Sequence, residues 1–221
     1  MERRKALIVG SSGLVGSYCL QELLKESTYD TVIALNRKRL AVSDKKLVQH
    51  LVDFDRLDDY KDIIHGNDVY CTLGTTIRRA GSRENFRKVD FDYPLRVAQI
   101  AALNGAKRLA VVTAIGANPA SRFFYLRVKG ELEAELSKLP FKALHLIRPA
   151  WLVGKRSERR LREEFGIAIG KFFSLMVVGR WKNLRSTEAS TVARAMVVAC
   201  LSDLSGVQIH KTTDLWSLGA R

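Results

Sequence analysis

Short apolar runs punctuated by turn residues recur along this chain, and stretches of helical spacing separate them. Ala6 to Val9, Thr31 to Leu35, Leu47 to Val52, Asp68 to Leu73, Leu109 to Thr113, Ala143 to Ile147 and Val207 to His210 have the length of strands. Most are apolar throughout, the pattern of strands buried on both faces. Between them, Ser17 to Ser27 spaces Tyr18, Leu20, Leu23 and Leu24 along much of one helix face. Arg56 to Ile64, Glu84 to Asn104, Ser121 to about Leu139 and Thr187 to Leu201 predict further helices. Pro94 should kink the longest of these or start a new segment, and Asn104-Gly105 is a stop signal. Strand and helix alternate, which predicts a single doubly wound α/β domain over residues 1–221. Its sheet should be mainly parallel, with helices on both faces.

The junction between the first strand and the first helix reads Gly10-Ser11-Ser12-Gly13-Leu14-Val15-Gly16. Glycine lets a backbone turn sharply and approach a ligand, and the free N–H groups at a helix start bind phosphate. The spacing is G-x-x-G-x-x-G, which differs from the common G-x-G-x-x-G dinucleotide fingerprint. Its position at the start of a βαβ unit favours a nucleotide loop over a plain turn.

The second strand ends on Asn36-Arg37-Lys38-Arg39. An NAD-preferring fold of this type has an acid there for the ribose 2′-hydroxyl. Here cations stand instead, and Arg37 with Lys38 or Arg39 can pair with a 2′-phosphate, so NADP(H) is favoured over NAD(H). After the third strand, Asp53 has two open readings, adenine acceptor or helix cap, while Phe54 could wall the ring. Leu73, Gly74 and Thr75 follow the fourth strand and should lie beside the middle of a cofactor. Arg78, Arg79 and Arg83 read either as a solvated charge run or as holders of an anionic substrate.

Tyr125 and Lys129 are four apart, hence on one helix face. A free phenol has a pKa near ~10, and a neighbouring ammonium lowers it toward a useful proton relay. Thr113, at the end of the fifth strand, could bond a substrate carbonyl oxygen while Tyr125 supplies the proton.

Composition narrows the surroundings of this chemistry. Lys and Arg number 37 against 23 Asp and Glu, a net charge of +14 that favours anionic partners. Without zinc-finger spacing or an aromatic RNA-binding motif, no nucleic acid is expected as partner. The four histidines and three cysteines show no ligand spacing, so no metal site is expected. No apolar run is long enough to span a bilayer, and no secretory leader precedes the first strand, so a cytoplasmic location is expected. Residues 155–185 are basic and partly amphipathic, and read either as a cover over the site or as a weak contact with an anionic membrane or a protein.

With these residues in view, the chain resembles the short-chain dehydrogenase/reductases, and more closely an atypical branch that includes the Tat-interacting oxidoreductase-like NAD(P)-binding proteins. The resemblance runs from Lys5 to about Arg162 and rests on the glycine loop, Cys71-Thr-Leu-Gly-Thr-Thr76, Ala80-Gly-Ser82, Phe86-Arg-Lys-Val-Asp90, Phe123-Phe-Tyr-Leu-Arg-Val-Lys-Gly-Glu131 and Ile147-Arg-Pro149. It implies that Gly10 to Val15 hold the pyrophosphate, Arg37 the 2′-phosphate, and Asp53 with Phe54 the adenine. It further implies that Leu73, Gly74 and Thr75 line the nicotinamide-side ribose, and that Pro149 and Trp151 border the nicotinamide. Tyr125 would be the acid/base, Lys129 its partner, and the part after about residue 150 the cover on the substrate side. Two positions depart from the pattern: Thr113 where serine is usual, and Asp90 nearest to where many relatives carry asparagine. The expected function is NADP(H)-dependent reduction of a small carbonyl compound, or the reverse oxidation of an alcohol. The alternative is a non-enzymatic NADP(H)-binding redox sensor acting through a protein partner, and an epimerase-like reaction with retained cofactor is a third reading.

Overall fold

The computed structural model describes residues 3–150, 152–153 and 187–220. Seven parallel strands form one sheet: β1 (Arg4–Val9), β2 (Tyr29–Asn36), β3 (Leu47–Leu51), β4 (Asp68–Cys71), β5 (Arg108–Val112), β6 (Ala143–Arg148) and, at its far edge, Gly206–Lys211. A separate parallel pair, β7 (Leu152–Val153) and β8 (Thr187–Glu188), precedes that last strand, which is therefore β9. The sheet order is β3-β2-β1-β4-β5-β6-β9. The chain winds outward from β1 to β3, then returns to the other side of β1, so the winding reverses between β1 and β4. Ligands of open parallel sheets bind beyond the carboxyl ends at such a reversal.

Strand period 2 sends alternate residues to opposite faces. Leu7, Val9, Ile33, Leu35, Val69, Cys71, Leu109, Val111, Leu144 and Leu146 pack one face against a 3-10 helix (Phe54–Ile63), α4 (Tyr93–Leu103) and α5 (Phe124–Leu136). Ala6, Ile8, Val32, Ala34, Tyr70, Ala110 and Ile147 pack the other against α1 (Leu14–Lys25), α6 (Ala189–Leu201) and α7 (Thr212–Gly219). The doubly wound α/β architecture read from the apolar pattern is thus the observed one.

Several elements differ from their sequence reading, among them Thr187–Glu188, expected as helix and found as strand β8. The helix expected over Glu84 to Asn104 is three pieces after the short α2 (Ile77–Ala80): α3 (Arg83–Arg87), a π-helical turn (Lys88–Asp92) and α4. Pro94 sits in the first turn of α4, directly after the π-helical turn, and the backbone stays right-handed helical across these junctions. Helix α7 carries no clear signal in the sequence pattern, being eight residues that follow β9 without a linker.

Away from the reversal, a buried polar cluster joins three strands, β2, β4 and β5. The Tyr29 hydroxyl donates to Asp68 at 2.7 Å and lies 2.7 Å from the Tyr70 hydroxyl, while Arg108 bonds the other Asp68 oxygen at 3.2 Å. Beside it, His145 and His210 meet through ring nitrogens 3.0 Å apart. Burial, with His210 and Arg108 adding, lowers His145 from 6.5 to about 4; burial also lowers His210, against Asp214. Between those pH values the unfolded chain binds the proton that folded His145 refuses. Stability present above pH 6.5 should therefore be lost as pH falls to about 4, by on the order of 3 kcal/mol at ~1.4 kcal/mol per pKa unit. Urea unfolding between pH 7 and pH 4 checks this, and His145→Gln should flatten the dependence.

Candidate active site

The crevice at the reversal is closed at its floor by glycine. Gly10 has φ +82°, and a Cβ there would lie 2.7 Å from the Thr72 carbonyl carbon at the end of β4. A Cβ on Gly16 would stand 2.1 Å from the Gly10 carbonyl oxygen. The Gly13 N–H donates to that same oxygen at 2.8 Å, and no side chain caps α1. Its first amides are thus free of a side-chain cap at the crevice, the arrangement that binds anions. Ser12 is exposed, Leu14 half-buried and Val15 in the core beneath.

Buried Ser11 donates its hydroxyl to Asn36 Oδ1 at 2.6 Å. The Asn36 Nδ2, at the end of β2, is buried without a partner. An unsatisfied buried donor costs about 1–3 kcal/mol, so this amide is fitted to an acceptor such as a ribose hydroxyl. The glycine cradle and this orphaned donor fit an adenine dinucleotide. Asn36 was passed over in the sequence because the flanking cations drew the reading; its place as the last residue of β2 was the available signal.

Arg37 and Lys38 follow it, exposed on the rim. Arg37 acts electrostatically on Tyr93, whose phenol burial and Asp55 nevertheless push upward. Asp53 takes the capping role of its two readings, accepting the Asp55 N–H at 2.9 Å. Phe54 is buried in the core, 5.5 Å from the Tyr93 ring, so its expected use as an open wall for adenine is corrected: packing claims the ring.

At the end of β4, Leu73, Gly74 and Thr75 bend over a buried ion pair. Lys129 Nζ is 2.8 Å from Asp90 Oδ1, and the Thr75 N–H donates to Asp90 Oδ2 at 2.8 Å. A Cβ on Gly74 would reach within 3.4 Å of Asp90 Oδ1. Asp90 lies in the π-helical turn and Lys129 on α5, and both are almost fully buried. Burial opposes the Lys129 charge, but Asp90 and Tyr125 outweigh it and raise the ammonium's pKa. Burial also raises Asp90, against Lys129 and the Thr75 amide. With a donor on each oxygen, the carboxylate is the form this geometry satisfies.

Tyr125 sits one turn before Lys129, half-buried, with its ring 5.7 Å from Phe86. Its phenol is pushed up by burial, against the downward pull of Lys129 and with a smaller upward push from Asp90. The lysine exerts the expected downward pull, but burial outweighs it and the net direction is upward.

Thr113 is corrected as well. Its buried hydroxyl donates to Glu133 Oε1 at 2.6 Å, and Glu133 in turn holds Arg148 at the end of β6. A hydroxyl whose proton is held by a carboxylate is not presented to a substrate oxygen. Glu133 follows Lys129 by four residues, and that helical spacing was the signal that could have found it. Pro149 is buried, its carbonyl accepting from Ile115 N at 3.1 Å, which ties the loops after β5 and β6 together. Gly130 permits α5 to press on the first of these loops: its Cβ would lie 2.2 Å from the Asn118 carbonyl carbon. Trp151 and the basic segment 155–185 lie outside the described residues.

The HIM1 family model matches residues 33–178. The chain belongs to the HIM1 family. Within it, the chain is 35% identical to Protein HTATIP2 of Rattus norvegicus, over 93% of its own length and 85% of that protein's. It is 32% identical to Protein FMP52, mitochondrial, of Eremothecium gossypii over 96% of both. The resemblance to the Tat-interacting oxidoreductase-like branch therefore holds. Among solved structures, MoeE5 in complex with UDP-glucose and NAD superposes with a TM-score of 0.71 over 98% of this HIM1-family chain and 81% of that one. At 15% identity that likeness establishes the Rossmann fold alone. The expected cytoplasmic location is corrected by the relatives, several of which are named mitochondrial. Mitochondrial targeting segments are amphipathic and Arg-rich rather than apolar, so a reading that looks for an apolar leader does not separate cytosol from mitochondrion. No helix among the described residues is long and apolar enough to cross a membrane.

Proposed function

We propose that this HIM1-family chain is an NADP(H)-dependent oxidoreductase that reduces a small carbonyl compound. One observation carries the reading: the glycine cradle with its orphaned Asn36 amide shares the sheet's carboxyl edge with Tyr125 and the buried Lys129–Asp90 pair. A fold neighbour solved with NAD supports the same cofactor class, and the FMP52 relatives' names support a mitochondrial site of action. Gly10 to Val15 would hold the pyrophosphate and Asn36 the adenosine ribose, with Arg37 and Lys38 on its 2′-phosphate. Gly74, Thr75 and Lys129 would line the second ribose. When bound, the nicotinamide supplies or accepts a hydride. Tyr125 donates a proton to the substrate oxygen, Lys129 holds the ring's surroundings in place, and Leu73 and Pro149 bound the pocket and exclude water.

NADPH titration followed by fluorescence or melting temperature tests the first half, and a carbonyl panel tests the second. Failure of NADPH to saturate at millimolar concentration would remove the reading. Arg37→Ala should weaken NADPH by about tenfold to a hundredfold, the worth of a charge-assisted hydrogen bond, while NADH affinity stays nearly constant. Equal losses for both cofactors would take the 2′-phosphate away from Arg37.

A second reading, an NADP(H)-binding redox sensor, is favoured by the engagement of Thr113 with Glu133, which leaves Tyr125 without that hydroxyl as co-donor. Tight NADPH binding with no turnover across the panel would select it.

A further inference from the structure

The pairing of Lys129 has a consequence for the direction of proton transfer. The two Asp90 oxygens are each 2.8 Å from a donor, Lys129 Nζ and the Thr75 N–H, and the carboxylate is 1% exposed. It is delivered there by the π-helical turn Lys88–Asp92, a distortion of the helix path common at functional sites. Gly74 leaves room for the carboxylate beneath the β4 loop. Lys129 is thus a buried cation next to Tyr125 whose charge is matched by a carboxylate in direct contact.

We propose that Asp90 is a positioning residue that anchors and neutralises the Lys129 ammonium, and thereby keeps Tyr125 a proton donor rather than a proton acceptor. The inference rests on the oxidoreductase reading in taking Tyr125 as the group that exchanges the proton. An unpaired ammonium one turn away favours the phenolate, the form that accepts a proton in alcohol oxidation. The Asp90 charge opposes that field and burial adds to the opposition, so the phenol retains its proton. Among the described residues, the charged and titratable groups facing this set are few. Cys71 on β4 acts on both members of the pair, and its thiol is pushed up to about 11 by burial, hence neutral. Glu133, farther along α5, is taken up by Arg148 and Thr113. Asp90 is therefore the group that balances Lys129.

The test reads phenolate absorbance in the cofactor-free protein, with the Tyr125→Phe spectrum subtracted to isolate one ring. In the wild type, the Tyr125 phenolate should form only above the ordinary phenol value near ~10. Asp90→Asn, which keeps the shape and removes the charge, should move that titration down by about one to three pH units. The alkaline limb of kcat/KM should move with it, and Asp90→Glu should restore the wild-type position. A wild-type phenol that ionises below ~10 overturns the proposal. So does an unchanged titration in Asp90→Asn. If Asp90→Asn does not fold, the wild-type titration still decides. The two readings fail separately. Turnover that survives Tyr125→Phe would end the assigned role of the tyrosine while leaving the charge coupling intact. Tyr125-dependent turnover with no response to Asp90 would end the coupling alone.

Discussion

Tyr125→Phe is expected to cut carbonyl reduction by about a hundredfold to ten-thousandfold, the usual worth of a positioned general acid, with NADPH affinity nearly unchanged. The fold should survive the change. The Tyr125 ring packs against Phe86, and a phenylalanine ring preserves that contact. Only the proton donor is removed, so kcat and kcat/KM should fall together. Steady-state kinetics beside an NADPH titration check both halves of the expectation. Retained turnover would remove Tyr125 from the chemistry, and lost NADPH binding would show that the hydroxyl serves the cofactor instead.

The second large effect is expected at Gly16. Alanine there would put its methyl group 2.1 Å from the Gly10 carbonyl oxygen and 2.5 Å from Thr72 Oγ1. Both neighbours are held in place: the Gly10 carbonyl accepts the Gly13 N–H at 2.8 Å, and Thr72 donates both its N–H and its hydroxyl to the Val9 carbonyl, at 3.0 and 2.8 Å. The start of α1 must therefore shift, taking the phosphate-binding amides with it. Overpacking of this kind costs about 1–3 kcal/mol of stability. A displacement near 1 Å in a binding frame is worth about a hundredfold in kcat/KM. Gly13→Ala provides the graded comparison, since its methyl would lie 3.0 Å from the same carbonyl, a contact a small adjustment can relieve. Melting curves with and without NADPH should show Gly16→Ala losing both stability and the cofactor-induced increase, with Gly13→Ala in between. Equal behaviour of the two variants would mean that the loop does not hold the phosphates through this close approach.

These two positions were visible in the sequence for different reasons. Gly16 belongs to a local pattern, strand then glycine turn then helix, in which each residue's neighbours along the chain dictate its conformation. Tyr125 and Lys129 share a face because the helix repeat puts residues four apart together. The strands read equally well, since a parallel strand buried on both faces needs an unbroken apolar run, and β1 supplies four consecutive core residues from Ala6 to Val9.

The misreadings share a cause in distance along the chain. Phe54 looked available for adenine until α4 brought Tyr93 against it, and Asp53 could serve either of two partners until its own helix claimed it. Thr113 carried the right hydroxyl in the right place. What took it was Glu133, twenty residues on, held by Arg148 from a third element.

What the amino-acid order settled by itself was therefore the local grammar: seven apolar strands, the glycine turn, the Tyr-Lys helix face and the cations after β2. Tertiary structure alone decided the partners of the buried charges. Lys129 meets Asp90 only because a π-helical turn, 39 positions earlier, presents a carboxylate beneath the β4 loop. Burial then makes that pairing govern the tyrosine, since in a low-dielectric interior the state of each ionisable group depends on which charge packs beside it.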